Sequence, residues 1–516
     1  MSKFFSDKSY VLKIALFLTG ISGIVAEYVL STLASYFLGN SIVQWTMILS
    51  TMMFSMGLGS RFSKYIKNNL VESLIIVEFT LSIFTSLAAL SVYTVSAFTQ
   101  YTGIFIYLCS ISIGVLIGLE IPLVTRINEN YEPLRVNIAS VMEKDYFGSL
   151  FGGIFFAFVG LPMLGISYTP FILGVTNFIV AIWLYYQLSN NLELKNKTSL
   201  KAYGIFVSTI LILGFIYTDE IIIFGEQNKY KDRIVYEEQS RYQKITITQW
   251  KNDYWLYING NEQLSTFDEF LYHEPLVHPV MNLVKEHKNI LILGGGDGFA
   301  VKELLKYPEV EEIVMVDLDP AMTDLGKDNP IMRKFNNDSM HSDKLEIINM
   351  DGFNYLEDIN KFFDVIIVDL PDPKSVELNK LYTKEFYQLA LFKLRPNGMI
   401  ITQAGSPYYA TKAFKCIDKT MLAAGFNTLK LHNQVLTLGE WGWILGSKTQ
   451  EEKLLKKRLQ SIKYDHVKTR WINNEAMYLI SSFGKEFYKK DGKIDINTIN
   501  NPVLYQYYIS GNWDLY

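Results

Sequence analysis

Three acidic stretches in the second half of the chain carry residues that could do chemistry together: Gly294-Gly-Gly-Asp-Gly298, Asp351-Gly352 and Asp369-Leu-Pro-Asp-Pro373. The glycine turn follows a short apolar run, Asn289–Leu293, and opens a helical stretch, Phe299–Lys306. Gly294, Gly295 and Gly296 let the backbone approach a ligand, and Asp317 comes 21 residues after Gly296, a spacing suited to ribose hydroxyls. The pattern points to a nucleoside. Asp297 inside the turn would repel a phosphate and suits a cation instead. Asp351 could accept from an adenine amino group. Asp369 and Asp372, three apart in a proline-stiffened loop, form a candidate cation clamp. Taken alone, each motif could be a tight turn or a loop cap. Asp297, Asp369 and Asp372 together put three carboxylates over one crevice, where they raise each other's pKa unless a positive ligand binds.

Such a crevice needs elements to build it. Asn289–Leu293, Glu312–Asp317, Leu345–Met350, Phe363–Val368 and Met399–Thr402 read as strands alternating with helices, several followed by an acid. That order predicts a Rossmann-like, doubly wound parallel sheet of the α/β class, with ligands beyond the carboxyl ends of its strands. Before it, Arg241–Trp250 and Asp253–Gly260 alternate apolar and polar residues around a break at Lys251–Asp253, which predicts a small antiparallel hairpin.

The first half is different material. Residues 1–218 hold 12 Lys and Arg and 10 Asp and Glu, whereas the remaining 298 hold 36 and 42. Seven long apolar segments, about 11–38, 42–60, 73–95, 103–124, 147–166, 168–188 and 203–218, predict a multi-span helical membrane domain. The last, Tyr203–Thr218, is short, so six or seven crossings are expected. The first is too long to be a cleaved signal peptide. Lys3, Lys8 and Lys13, then Arg61, Lys64 and Lys67, then Arg126, Arg135 and Lys144, then Lys195, Lys197 and Lys201 flank alternate ends of the spans. The connections around Gly39–Ser41, Ser96–Thr102 and Ser167 carry no Lys or Arg, so the charge bias sets the N-terminus in the cytoplasm. Glu27, Glu78 and Glu120 lie inside apolar runs and have either a packing role or a place on a cation path. The expected division is a membrane domain at 1–224, a hairpin subdomain with a linker helix at 225–285, and a catalytic domain at 286–516. Cys109 and Cys416 support neither a disulfide framework nor a cysteine zinc site, and the acidic second half speaks against nucleic acid. No metal site is expected.

Taken in order, Tyr242-Gln243, Asp268-Glu-Phe-Leu-Tyr-His-Glu274, the glycine turn, Val316-Asp-Leu-Asp319, Asp351-Gly352, Asp369–Pro373 and Leu381-Tyr382 resemble the polyamine aminopropyltransferase (spermidine synthase) family. Gly118–Leu123, Asp145–Ser149 and Gln403–Tyr409 resemble its membrane-integrated bacterial branch. The resemblance implies that decarboxylated S-adenosylmethionine, a co-substrate rather than a cofactor, gives an aminopropyl group to an amine, usually putrescine. It implies that Gln243, Asp317 and Asp351-Gly352 hold the methylthioadenosine part. It further implies that His273, Asp297 and Asp372 hold amine groups, that Asp369 accepts the proton, and that Tyr242 or Tyr382 orients the nitrogen. The implied localisation is a multi-pass cell-membrane protein whose catalytic domain is cytoplasmic, because the donor is cytosolic. Seven crossings from a cytoplasmic N-terminus would put that domain outside. Two departures touch the amine pocket: Ile258-Asn259-Gly260 replaces a usual Leu-Asp-Gly, and Lys374-Ser-Val-Glu377 replaces Ile-Gly-Pro. A membrane-tethered methyltransferase, or a polyamine transporter or sensor with a polyamine-binding soluble module, are the alternatives. A homo-oligomer is compatible with the sequence.

Overall fold

The structure, a computed structural model, describes residues 8–39, 41–99, 101–189, 192, 194–488 and 493–513. Lys3 and residues 40 and 100 of two connections lie outside the described residues. The chain forms two compact units, Met1–Arg233 and Ile234–Tyr516.

The first unit is helical: α1 Lys8–Leu38, α2 Ser41–Phe62, α3 Leu70–Phe98, α4 Thr102–Asn128, α5 Leu134–Phe155, α6 Gly165–Gln187, α7 Leu194–Ile216 and α8 Thr218–Lys229. Among the described residues, six helical stretches are long and apolar enough to cross a bilayer. One of them, Leu134–Gln187, has 54 residues. At 1.5 Å per residue it would measure about 80 Å, far more than the ~30 Å of hydrocarbon. It does not run straight. After a π-helical stretch, Phe156–Leu164, Gly165 takes φ +68 and ψ −179 and reverses the chain.

Side-chain neighbours give the directions. Gly148 meets Phe17, Gly152 meets Ile21 and Ile24, and Gly153 meets Tyr28, so α5 runs parallel to α1. Gly23 meets Ile117 and Gly103 meets Leu38, so α4 opposes α1. Glu120 lies within electrostatic reach of Glu78, and Cys109 near Ser91, so α4 also opposes α3. Gly174 packs on Ser82 and Ser86 while Phe178 touches Phe79, so α6 opposes α3. Gly204 sits by Phe79 and Gly214 by Leu87, so α7 follows α3. The bundle is therefore traversed seven times, and Tyr203–Thr218 is largely the second part of a 23-residue helix.

The chain leaves this bundle on the face opposite its basic connections. In α8, Gly225 packs on the Tyr93 carbonyl, and the Tyr36 hydroxyl donates to Glu226 at 2.7 Å. Both tyrosines lie near the ends of their helices. Glycines on α2, α4 and α5, among them Gly59, Gly118 and Gly148, make close helix contacts. A Cβ on Gly118 would stand 2.1 Å from the Met56 carbonyl, so only glycine lets α2 and α4 approach this closely. Glu27, Glu78 and Glu120 are buried, and each keeps one carboxylate oxygen without a hydrogen-bond partner.

The second unit starts with an antiparallel sheet of β1 Arg233–Gln239, β2 Lys244–Trp250, β3 Asp253–Ile258 and β4 Asn261–Ser265. The expected β2–β3 hairpin is present, with Trp250 opposite Asp253 and Lys251 at φ +56. Helix α9, Phe270–Leu283, leads into the main sheet. Its strands are β5 Asn289–Gly294, β6 Glu312–Asp317, β7 Leu345–Asn349, β8 Phe363–Asp369, β9 Leu394–Gln403, β10 Asn427–Val435 and β11 Gly439–Ser447, in the order β10-β11-β9-β8-β5-β6-β7. Strands β5 to β9 are parallel; β10 and β11 form an antiparallel edge beyond the five expected strands. Ile290, Ile292, Val365 and Ile367 face one core layer, and Leu291, Leu293, Ile366 and Val368 face the other. Both faces are covered, which is why these strands are unbroken apolar runs.

Candidate active site

Strand register assembles the site. Gly294 at the end of β5 pairs with Asp369 at the end of β8, and the Gly295 N–H donates to the Asp369 carbonyl at 3.0 Å. Gly294 and Gly295 have φ of +85 and +69. Asp317 ends β6 beside them and accepts from Gly296 N–H at 3.2 Å and Asp319 N–H at 3.0 Å. The carboxyl ends of three neighbouring strands thus open onto one cavity of about 1050 Å³, counting its mouth.

Tyr242, Gln243, His273, Gly294, Gly295, Gly296, Asp297, Asp317, Asp369 and Asp372 all line that cavity. So do residues that the sequence reading left without a role, notably Glu262, Tyr272, Asp319 and Trp441, and Gln403, noted there only within a matching segment. Asp351, Gly352 and Tyr382 are not among the lining. Asp351 caps the helix Gly352–Asp358 by accepting from Asn354 N–H. Tyr382 is fully buried. Its hydroxyl lies 3.1 Å from the Pro371 carbonyl and accepts from the Gln403 amide at 2.6 Å. It braces the 369–372 loop from behind, so the expectation that it orients the substrate nitrogen is corrected. Tyr272 instead faces Asp369: its hydroxyl donates to Asp369 Oδ1 at 2.8 Å. The Tyr508 hydroxyl donates to Asp372 Oδ2 at 2.6 Å.

Both departures from the family pattern acquire places. Asn259, at φ +50, accepts from Lys244 N–H through its side chain at 2.9 Å and is not part of the lining. Lys374 donates to Asn261 Oδ1 at 2.9 Å and lies 3.7 Å from Asp372 Oδ2, tying the proline loop to the β3–β4 turn.

Among the described residues, six carboxylates, from Glu262, Asp297, Asp317, Asp319, Asp369 and Asp372, line this cavity with one histidine. Burial pushes Asp369 up to about 6; the neighbouring Asp297 adds to this, while His273 and the Tyr272 hydroxyl oppose it. Burial likewise pushes Asp317 up to about 6 against its two backbone hydrogen bonds. Burial works to lower the His273 pKa, but Glu269, Asp297 and Asp369 outweigh it and hold the ring at about 9. The ring nitrogen Nδ1 lies 2.9 Å from the Glu269 carbonyl, with that residue's carboxylate 3.5 Å away, and Nε2 lies 4.0 Å from Asp369. An apolar wall with converging acids suits a nucleoside joined to a cation, beside a second cation.

A Glu274–His278–Glu303 cluster lies outside the cavity. Its ligating atoms already have protein partners: Glu274 accepts from three backbone N–H groups at 470–472, and His278 pairs with Glu303 and Tyr307. It reads as a buried polar network.

The spermine/spermidine synthase domain profile matches residues 269–459. Polyamine aminopropyltransferase 2 of Aquifex aeolicus is 40% identical over 505 residues, covering 97% of this chain and 98% of its own length. The chain belongs to the polyamine aminopropyltransferase family. A polyamine aminopropyltransferase of Leptospira interrogans is 35% identical over 96% of this chain and 97% of its own. These aminopropyltransferase relatives span the helical unit as well as the catalytic one. A spermidine synthase crystallised with the transition state analogue AdoDATO matches with a TM-score of 0.46 and 25% identity, over 50% of this chain and 87% of that one.

Proposed function

We propose that the chain transfers an aminopropyl group from decarboxylated S-adenosylmethionine to putrescine, giving spermidine and 5′-methylthioadenosine. The observation that carries this is the cavity: a glycine turn and Asp317 suited to a nucleoside, ringed by carboxylates, with no Lys or Arg among the described residues that line it. A methyltransferase donor carries a carboxylate that this acidic lining would repel, whereas the decarboxylated donor is wholly cationic.

In this reading Gln243, Gly294–Gly296 and Asp317 hold the nucleoside, with Asp351-Gly352 at the next strand end toward the adenine. Asp297 and Asp372 draw the ammonium groups. The carbon next to a sulfonium is already electrophilic, so the difficulty is the nucleophile: the attacking amine rests as a primary ammonium, with an ordinary pKa near 10.4, as for Lys, and must lose a proton to expose its lone pair. Asp369 accepts the proton as the nitrogen attacks, while the Tyr272 hydroxyl fixes the carboxylate's orientation. A bound ammonium also disfavours the charge on His273, and the neutral ring can then accept from the amine. Residues 1–224 are the lipid-embedded part, 225–285 supply the hairpin wall of the cavity, and 286–516 the catalytic sheet.

Purified full-length protein supplied with each donor should form methylthioadenosine from the decarboxylated donor and no S-adenosylhomocysteine from S-adenosylmethionine. The opposite product would establish a methyltransferase.

The catalytic unit is placed on the cytoplasmic side by its donor, whose sulfonium and ammonium charges keep it from crossing hydrocarbon unaided. With seven passes this sets the basic connections outside, against the usual charge bias. Added protease should therefore spare the catalytic unit in intact spheroplasts and cut it after lysis. Cutting in intact spheroplasts would place it outside and give the decision to the charge bias.

A further inference from the structure

Glu78 and Glu120 take no part in the chemistry described so far, and both lie inside the helical unit. Glu78 is on α3 and Glu120 on α4, close enough to repel each other. Each is 2% exposed and keeps one oxygen without a hydrogen-bond partner. The Thr19 hydroxyl of α1 stands beside Glu120, and so does the carboxylate of half-buried Asp145 on α5. The basic residues nearest these groups along α1, α4 and α5 are engaged elsewhere. Lys13 pairs with Glu132, Lys144 pairs with Glu143, and Arg126 donates to the Ser63 and Ile66 carbonyls. Acids at this depth without a counter-charge are unfavourable.

Asn177 on α6 is a second, independent sign. It is fully buried, yet neither its amide oxygen nor its amide nitrogen has a partner. Packing gives its place. The Ser82 hydroxyl donates to the Gly174 carbonyl at 2.6 Å, where α3 and α6 run in opposite directions. One turn back from Ser82 is Glu78 and one turn on from Gly174 is Asn177, so the two share a level. The Ser22 hydroxyl donates to the Leu173 carbonyl at 3.1 Å, and one turn from that contact lie Thr19 and Asn177. Being fully buried, Asn177 points its amide into this level and not toward lipid. Thr19, Glu78, Glu120 and Asn177 thus converge from four helices. Two turns further along the bundle, the unpartnered oxygens of Glu27 and Ser86 continue the polar line toward the end where the chain leaves.

The donors are carboxylate, amide and hydroxyl oxygens, the set preferred by a hard cation. Close packing limits its size. A Cβ on Gly20 would stand 2.7 Å from the Asp145 carbonyl, and one on Gly174 would stand 2.6 Å from the Ser82 carbonyl. Backbones therefore meet beside this level and leave little room for the alkyl chain of an organic amine. Ca²⁺ takes about six to eight oxygens and Mg²⁺ retains several waters, more than the side chains gathered here provide. A small monovalent cation fits, with a proton on one carboxyl balancing the second charge. Sequence spacing marks no such site, because each ligand lies on a different helix.

We propose that Glu78, Glu120, Thr19 and Asn177 bind a small monovalent cation, Na⁺, inside the helical unit. Equilibrium dialysis of full-length protein in detergent against radioactive sodium should show a single saturable site per chain that excess choline does not empty. Replacing choline chloride by NaCl at constant ionic strength should raise Tm saturably. Glu78→Gln and Glu120→Gln should each weaken Na⁺ binding by at least about tenfold and remove the Tm rise. A parent protein without saturable Na⁺ binding overturns the proposal and leaves a protonated, packed pair. Binding unchanged in both variants puts the ion elsewhere, such as the acidic cavity of the other unit, and overturns it equally. A Tm rise produced by Ca²⁺ or putrescine and not by Na⁺ overturns the choice of ligand. If neither variant folds, Asn177→Leu, which leaves both carboxylates in place, must weaken Na⁺ binding, and an unchanged affinity overturns the site.

Discussion

Asp369→Asn should reduce turnover by roughly 100-fold or more while leaving methylthioadenosine binding largely intact. The amide keeps the size of the side chain and can still accept from the Tyr272 hydroxyl, but it cannot take a proton from the attacking amine. The Gly295 N–H bonds to the backbone carbonyl of Asp369, not to its side chain, so the glycine turn is undisturbed. The pH profile carries a second signature. Burial raises the Asp369 pKa to about 6, and only its deprotonated form accepts. The kcat/KM of the parent protein should therefore fall as pH drops through about 6, rather than near 4 as for an exposed aspartate. That limb should be shallower in the residual activity of the variant, where Asp317 still titrates in this range. Near-normal turnover in Asp369→Asn would remove the assignment.

Gly294→Ala should abolish the site by a different route, losing nucleoside binding as well as turnover. A Cβ here would stand 2.0 Å from the Asp369 carbonyl oxygen, a contact no side chain can occupy, and the residue is held at φ +85. The left-handed backbone alone costs an alanine about 1–2 kcal/mol. Relieving the clash would also pull β5 away from β8, where register sets Gly294 against Asp369. We expect a loss of about 3 kcal/mol or more, seen as a lowered Tm, together with methylthioadenosine binding too weak to measure by calorimetry. Gly484→Ala is the matched control, because a Cβ there has nothing within 4 Å. Parent-like binding in Gly294→Ala would show that the turn does not set the pocket.

These two variants mark the difference between what was local and what was not. The glycine turn, Asp317 and Asp369 were legible because each lies at the end of an apolar strand, and parallel pairing brings such ends to one edge. Tyr382 was misread for the same reason that it looked attractive: it follows the acidic loop in sequence, but its helical turn buries the hydroxyl behind that loop, against Pro371 and Gln403. Tyr272, 97 residues before Asp369, reaches it only because α9 packs on the sheet. No spacing rule marks such a contact. Glu262 and Trp441 were invisible for a related reason. They come from separate sheets 179 residues apart, and a lone acid in a polar strand carries no signal of its own.

The helical unit divides in the same way. Hydropathy by itself located the helical stretches that are long and apolar enough to cross, because a bilayer demands about 20 apolar residues wherever the chain lies. Whether Leu134–Gln187 crosses once or twice depended on Gly165 and on which helices its two halves pack against. The sequence by itself determined the membrane half, the parallel sheet and the acids at its edge, since periodicity, apolar length and glycine requirements act between near neighbours along the chain. The tertiary structure alone decided which tyrosine faces Asp369, which acids share the cavity and which face of the bundle the chain leaves from, because those depend on packing between segments far apart in sequence.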